Sequence, residues 1–328
     1  MDIELSMQLR RTKRKLWQDF LAAVGLEADE AVEQTVLIWE GEELIATGSR
    51  QGNILKCIAV APTHQGEGLL AKVLTVLRQE AFQEGLQHLF LYTKPQNAHL
   101  FEPLLFYPVV QTEHVLLMED QKQGIHTFIA GLHSQKLTGK IGAAVMNCDP
   151  FTLGHQHLVT YAASQCDHLF VFVLSEDKGH FSAADRMAMV KKGTAHLPNV
   201  TVLPTGPYLI SSATFPTYFL KERDQADRIQ CMLDIEIFAK YFAPAFSISH
   251  RFVGSEPLSP LTNRYNETLQ KHLPLHDITV EQIPRLELSG TPISASAVRA
   301  ALTTGDLDTV RTLVPQTTFD HLQTIIRR

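Results

Sequence analysis

The chain has 328 residues, 45% apolar and 20% charged, which fits a folded protein of two ordinary domains and excludes a disordered chain. A formal net charge of −6 gives no global pull towards nucleic acid or an anionic membrane, so neither is expected as a partner. No apolar run approaches the ~20 residues that span a bilayer.

The N-terminus, Met1-Asp2-Ile3-Glu4, begins with acids and lacks an apolar signal core, so a cytoplasmic enzyme is expected. A basic run, Arg10 to Lys15, lies in a segment where Leu5, Leu9, Leu16, Phe20 and Leu21 predict an amphipathic helix. Either a solvated helix face or a patch for an acidic partner explains the run. Thr35–Glu40 and Leu44–Ser49 predict a hairpin around Glu40-Gly41-Glu42-Glu43, and Ile54–Val60 a third strand. Gly68–Glu84 carries helical periodicity through Leu69, Val73, Leu74 and Leu77 and stops at Gly85. His88–Thr93 reads as a strand, Asn97–Phe106 as a short helix and Val115–Glu119 as another strand.

Between Asp120 and Lys140 polar residues mix with Gly124, Gly131 and Gly139, and a junction is expected there, with a short helix near Thr127–Leu132. The expected domains are 1–125 and 140–328, joined by a linker over 126–139. From Ile141 strand and helix alternate: Ile141–Met146, a helix from Gly154, Leu169–Leu174, a helix from Ser182, Val200–Leu203. That order predicts a parallel sheet with crossover helices, and such sheets bind ligands where strands end and helices begin. A helix around Arg228–Tyr241, a strand over Ser247–Val253 and helices near Ser294 and Pro315 complete the half. Cys57, Cys148, Cys166 and Cys231 lie far apart without a CxxC pair. They are read as small buried residues, not as a zinc ribbon, a disulfide framework or an acyl-carrying thiol, and no protein ligands to a metal are assigned.

The first predicted strand of the second half runs into Asn147-Cys148-Asp149-Pro150-Phe151-Thr152-Leu153-Gly154-His155. Pro150 presets a turn, and Gly154 allows close approach to the backbone. Thr152 and His155 stand three apart at a helix start, where free N–H groups and the dipole favour phosphate. A hydroxyl and an imidazole aimed at one point can stabilise charge on a departing phosphate oxygen; a capped polar helix start is the structural alternative. The second motif is Thr291-Pro292-Ile293-Ser294-Ala295-Ser296-Ala297-Val298-Arg299. Ser294 is a natural N-cap, and Ser296 and Arg299 share a face, a second anion-binding helix end with a bidentate donor.

The first motif resembles the T/HxGH signature of the nucleotidylyltransferase superfamily, and the second its ISSTxxR-type motif, which holds the triphosphate. Lys178, after the second strand of this half, could reach a phosphate or carboxylate, or be a solvated loop lysine. Arg251-Phe252-Val253-Gly254-Ser255-Glu256-Pro257 ends another strand, with Arg264, Tyr265 and Asn266 following. Together with Ala213-Thr214-Phe215-Pro216 and the two motifs, these residues resemble the C-terminal domain of citrate lyase ligases over nearly all of 139–328. In the first half, His64-Gln65-Gly66-Glu67-Gly68 resembles the Q/RxxGxG/A motif of the GNAT acetyltransferase fold, which holds the pyrophosphate of acetyl-CoA. Gln65 and Gly68 match, while Leu70 and Leu105 stand where that family keeps small residues.

The resemblance implies an α/β protein: a GNAT-like α+β domain followed by a Rossmann-like parallel-sheet nucleotidylyltransferase domain. It implies a ligase that uses ATP with Mg²⁺ to make acetyl-adenylate from acetate, then acetylates the thiol of the citrate lyase carrier subunit, releasing AMP and diphosphate. His155 and Thr152, with Lys178, are then the catalytic candidates. Asn147, Pro150, Phe151, Gly154, Gly254, Ser294, Ser296 and Arg299 would bind ATP, and Gln65, Gly66 and Gly68 a CoA-like arm. The alternatives are another adenylyltransferase acting on a phosphopantetheine-like acceptor, or a GNAT acetyltransferase with a nucleotide-sensing module.

Overall fold

A computed structural model describes residues 1–132, 137–177, 179–209, 215–220, 225–256 and 260–326. Lys178, Ala213, Thr214 and Pro257 lie outside the described residues. The chain forms two compact units: Met1–Gly124 with Phe215–Ile229, and Ile125–Thr214 with Gln230–Arg328. A segment late in the sequence therefore belongs to the first unit.

In the first unit the chain runs β1 (Asp2–Ser6), α1 (Arg11–Ala23), β2 (Gln34–Glu40), β3 (Glu43–Gln51), β4 (Ile54–Val60), α2 (Leu69–Gln83), β5 (Phe90–Thr93), α3 (Ala98–Phe101), β6 (Tyr107–Gln111) and β7 (Leu116–Glu119). The seven strands form one sheet in the order β1-β2-β3-β4-β5-β7-β6. Every neighbour pair is antiparallel except β4 and β5, whose parallel pairing is confined to Ile54↔Phe90 and Leu55↔Leu91. Beyond those two pairs the strands part. Helix α2 buries Val73, Leu74, Leu77 and Ala81 on the sheet, the face its periodicity predicts.

Two differences from the expected order have local causes. Leu5 is not helical: Ile3, Glu4 and Leu5 alternate and pair with Ile38, Leu37 and Val36 as the edge strand β1, and the helix starts only at Arg11. The basic run on α1 makes exposed ion pairs, Lys13 with Glu4 and Lys15 with Asp19, while Trp17 and Leu21 face inward. Strand β6 was not expected, because Pro108 interrupts its apolar run; it lies at the sheet edge, where a missing N–H is tolerated.

The second unit contains α4 (Gly124–Leu132), β8 (Ile141–Met146), α5 (Leu153–Ser164), β9 (His168–Val173), α6 (Ala183–Thr194), β10 (Val200–Pro204), α7 (Ala226–Ile237), α8 (Ala243–Phe246), β11 (His250–Gly254), α9 (Pro260–His272), β12 (Thr279–Ile283), the short pair β13 (Glu287–Leu288) and β14 (Thr291–Pro292), α10 (Ala295–Thr303), α11 (Leu307–Leu313) and α12 (Gln316–Ile326). Helices α4 and α7 each begin within a stretch assigned to the first unit and continue into the second.

Five strands form a wholly parallel sheet, β10-β9-β8-β11-β12. Both faces are covered. Leu169, Val171 and Val173 join the core that includes Val159, Met189 and Val298, and the alternating Phe170 and Phe172 meet Phe242 and Phe246 edge-on. The strand expected at Ser247 begins at His250, because α8 extends to Phe246 and Ser247 takes a left-handed conformation (φ +55°). From β8 the chain winds outward through β9 and β10, then returns to place β11 on the other side of β8. That reversal opens a crevice at the carboxyl ends of β8 and β11.

Candidate active site

Strand β8 delivers the first motif to that crevice. After Met146 the backbone turns through Cys148 in a left-handed conformation (φ +54°), and Thr152 caps α5. The Thr152 hydroxyl accepts the His155 N–H at 3.3 Å, and His155 Nδ1 accepts the Thr152 N–H at 3.0 Å. A backbone N–H can only donate, so Nδ1 is the acceptor and the proton of the neutral ring resides on Nε2. Burial pushes the His155 pKa down to about 4, and the charge of Arg285 acts in the same direction. Taken as a whole residue, His155 is half-buried. Near neutral pH His155 is therefore an uncharged donor held at a helix N-terminus.

Thr152 itself is 1% exposed and its hydroxyl is engaged at the helix end, 3.0 Å from His155 Nδ1. It orients the imidazole instead of facing the crevice beside it. Phe151 is fully buried, stacks 5.9 Å from the His155 ring and wedges against Gly193. Pro150 is buried in the same turn. Phe151 and Pro150 shape the loop from within. At Gly154 a Cβ would stand 3.3 Å from the Ile293 carbonyl, so the close approach that needs glycine is that of the second motif's backbone.

The second motif is thereby brought to the first. Ser294 caps α10, accepting the Ala297 N–H at 3.1 Å, and its hydroxyl lies 3.0 Å from that of the exposed Ser296. Arg299 Nη1 donates to the Asp149 carbonyl and stands 3.7 Å from Asp149 Oδ2. Gly254 ends β11 at the same sheet edge, with its carbonyl accepting from Asn266 Nδ2 at 2.8 Å. Its neighbour Ser255 accepts the Arg285 N–H at 3.1 Å, and the Arg285 guanidinium pairs with Glu256.

Three residues of this region escaped the sequence reading. Asp149 accepts the N–H groups of His180 and Phe181 at 3.0 and 2.9 Å, fastening the loop after β9 to the loop after β8. Arg186, 1% exposed, donates to the carbonyls of Phe181, Asn147 and Glu176 and to Asn147 Oδ1. Asn147 is thus held through its carbonyl and side-chain oxygen by a buried arginine. Arg285, on the loop after β12, is close enough to act on His155. None had a local signal, because their partners lie between 5 and 150 residues away in the chain.

Gln65, Gly66 and Gly68 are not part of this group; they lie in the first unit, at the start of α2. Gly66 and Gly68 have φ of +88° and +74°, a conformation that L side chains rarely adopt. They border a cavity of about 890 Å³. Leu70 also lines it, whereas Leu105 is exposed and takes a left-handed conformation (φ +61°) that glycine would adopt without strain. Among the described residues no group of three or more His, Cys, Asp or Glu side chains is placed to hold a metal ion, and no helix is long and apolar enough to cross a membrane.

The sequence profile of the citrate lyase ligase C-terminal domain matches residues 141–322, and that of the GNAT acetyltransferase family matches residues 6–102. The chain is 41% identical to a citrate (pro-3S)-lyase ligase of Klebsiella pneumoniae over 318 residues, covering 95% of this chain and 93% of the relative. It is 37% identical to the enzyme of that name from Escherichia coli, covering 98% and 95%. A shorter likeness, 38% identity over 69 residues, links it to a phosphopantetheine adenylyltransferase of Corynebacterium glutamicum, covering 20% of this chain and 43% of that one.

Proposed function

The chain belongs to the citrate lyase ligase family, and from that premise we propose how its residues divide the work of an ATP-dependent ligase acting on citrate lyase. A carboxylate oxygen of acetate attacks the α-phosphorus of ATP in line, the bond to the bridging oxygen breaks, and diphosphate leaves acetyl-adenylate behind. The thiol of the citrate lyase carrier's prosthetic group then attacks the acetyl carbon, its proton passes to solvent, and AMP departs.

The observation that carries this reading is the locked tautomer of His155. Its Nε2–H is a neutral donor at a helix start, suited to charge that builds on the bridging oxygen. Ser294, Ser296 and Arg299, one chain segment away across Gly154, suit the β- and γ-phosphates. Asn147, Pro150, Phe151 and Gly254 frame the nucleotide mainly through backbone. Lys178 keeps its proposed role as a further phosphate contact. Mg²⁺ fits this site as part of the nucleotide complex, since the nearby carboxylates of Asp149 and Glu256 are engaged by N–H groups and arginine. It would neutralise the triphosphate.

In the first unit, the left-handed Gly66–Gly68 turn and the cavity it borders suit a CoA-like arm such as the carrier's prosthetic group. The test is to mix the protein with ATP, acetate and deacetyl citrate lyase, and measure AMP and restored lyase activity. Diphosphate exchange into ATP that requires acetate is the expected partial reaction. Exchange that requires 4′-phosphopantetheine instead of acetate would overturn the reading.

A further inference from the structure

The guanidinium of Arg299 uses one corner in the fold and leaves an edge over. Nη1 donates to the Asp149 carbonyl and stands 3.7 Å from Asp149 Oδ2. Among the described residues, Nε and Nη2 have no hydrogen-bond partner. Nε–H and one N–H of Nη2 lie parallel along one edge of the planar group, which can take two oxygens of a phosphate at once. The Arg299 side chain is 31% exposed, so a ligand can reach it.

The anchor for that corner is itself fixed. Asp149 is buried, and its two carboxylate oxygens accept the N–H groups of His180 and Phe181 at 3.0 and 2.9 Å. A Cβ on Gly179 would come within 2.9 Å of the Asp149 Cγ, so the loop after β9 closes on the carboxylate only with glycine there. The carboxylate is thus gripped by one segment while its charge faces the guanidinium of another. Away from bulk water that attraction is strong enough to orient a long, flexible side chain. Holding an arginine in one rotamer before the ligand arrives removes an ordering cost from binding.

We propose that Asp149 is a positioning residue: it fixes the Nη1 corner of Arg299 and so presents the Nε–Nη2 edge to two oxygens of the nucleotide's terminal phosphates. Its own oxygens are turned to N–H groups, so it acts through the arginine and not on the nucleotide. The role needs a carboxylate on the first motif and a planar fork on the second, which joins the two motifs in one phosphate-binding unit. This inference rests on the reading that Arg299 meets the β- and γ-phosphates.

The test is calorimetric titration of the full-length chain, Asp149→Asn, Arg299→Ala and the double variant, with ATP and Mg²⁺ and with AMP as probes. Asp149→Asn keeps the shape of the side chain and removes its charge. It is expected to weaken ATP about tenfold in the wild-type background and less than about twofold once Arg299 is alanine, with AMP changing less than ATP. The same loss of ATP in both backgrounds, or equal losses of ATP and AMP, would overturn the inference while the phosphate reading of Arg299 stood. If Arg299→Ala leaves ATP binding unchanged, the phosphate reading falls and the inference with it. Arg299→Lys supplies a second measurement in case Asp149→Asn disturbs the fold. An ammonium cannot hold the anchor and offer a two-donor edge together, so ATP affinity should fall to within about threefold of Arg299→Ala. Full ATP affinity in Arg299→Lys would show that a point charge suffices and would overturn the inference.

Discussion

His155 is set by three neighbours with different jobs: Thr152 fixes the tautomer, Phe151 packs the ring, and Arg285 helps keep it uncharged. An imidazole titration followed by NMR should show a midpoint near pH 4, and a midpoint near 6.5 would mean that burial is not acting on it. The same shift has a sign for stability. The folded ring resists protonation that the unfolded chain accepts near pH 6.5, so this contribution is complete above that pH and drains away as pH falls through about 4. His155→Ala should slow acetate-dependent diphosphate exchange by about 10²–10³-fold, the effect of losing one donor to developing charge, with little change in melting temperature. Rates within threefold of wild type would make the residue structural. Arg186→Met should be costly in a different currency: several carbonyls lose a buried donor together, and denaturant unfolding should register a loss of about 2–4 kcal/mol. The histidine, the threonine and the serines could be found in the sequence because helix caps are local, three-residue affairs. Asp149, Arg186 and Arg285 could not, because an aspartate in a turn and an arginine in a helix look like solvated charges until the fold brings up their partners.

At the scale of elements, two helix starts, α5 and α10, meet across Gly154, and the anion-binding character of each depends on its cap. Ser294→Ala should cost about 1 kcal/mol of stability in chemical denaturation, the usual value of a lost N-cap. Arg299→Ala should weaken ATP more than AMP in calorimetry, because the proposed partners of Arg299 are phosphates that AMP lacks; equal losses would sink that assignment. Its bond to the Asp149 carbonyl ties α10 to the first motif, so some loss of stability should accompany it. The parallel sheet was legible because β8, β9 and β10 are nearly continuous apolar runs, as strands covered on both faces must be. Strand β12 was missed for the opposite reason: Thr279-Val280-Glu281-Gln282-Ile283 is an edge strand with only two apolar residues. Helix α9 was passed over because its 13 residues are largely polar, with little apolar stripe to mark it.

At the scale of the molecule, the two-part organisation follows from the change of grammar near residue 140, but the membership of Phe215–Ile229 does not. Nothing local in that segment marks it as part of a unit whose other residues end at Gly124; only the three-dimensional grouping does. A fragment of residues 1–140 should accordingly melt less cooperatively than the intact chain, because it lacks the Tyr218 hydroxyl that donates to the Tyr92 carbonyl. A sharp transition within a few degrees of the full-length protein would show that the segment is dispensable to the first unit. The late segment also constrains the order of events on the ribosome. An N-terminal domain ordinarily folds while the rest is still being translated, at roughly 5–20 residues per second. Here the last piece of the first unit emerges roughly a hundred residues after Gly124, a delay of several seconds or more at that pace. During that interval the nascent unit lacks part of its own packing, and the chain that will supply it has not yet been made.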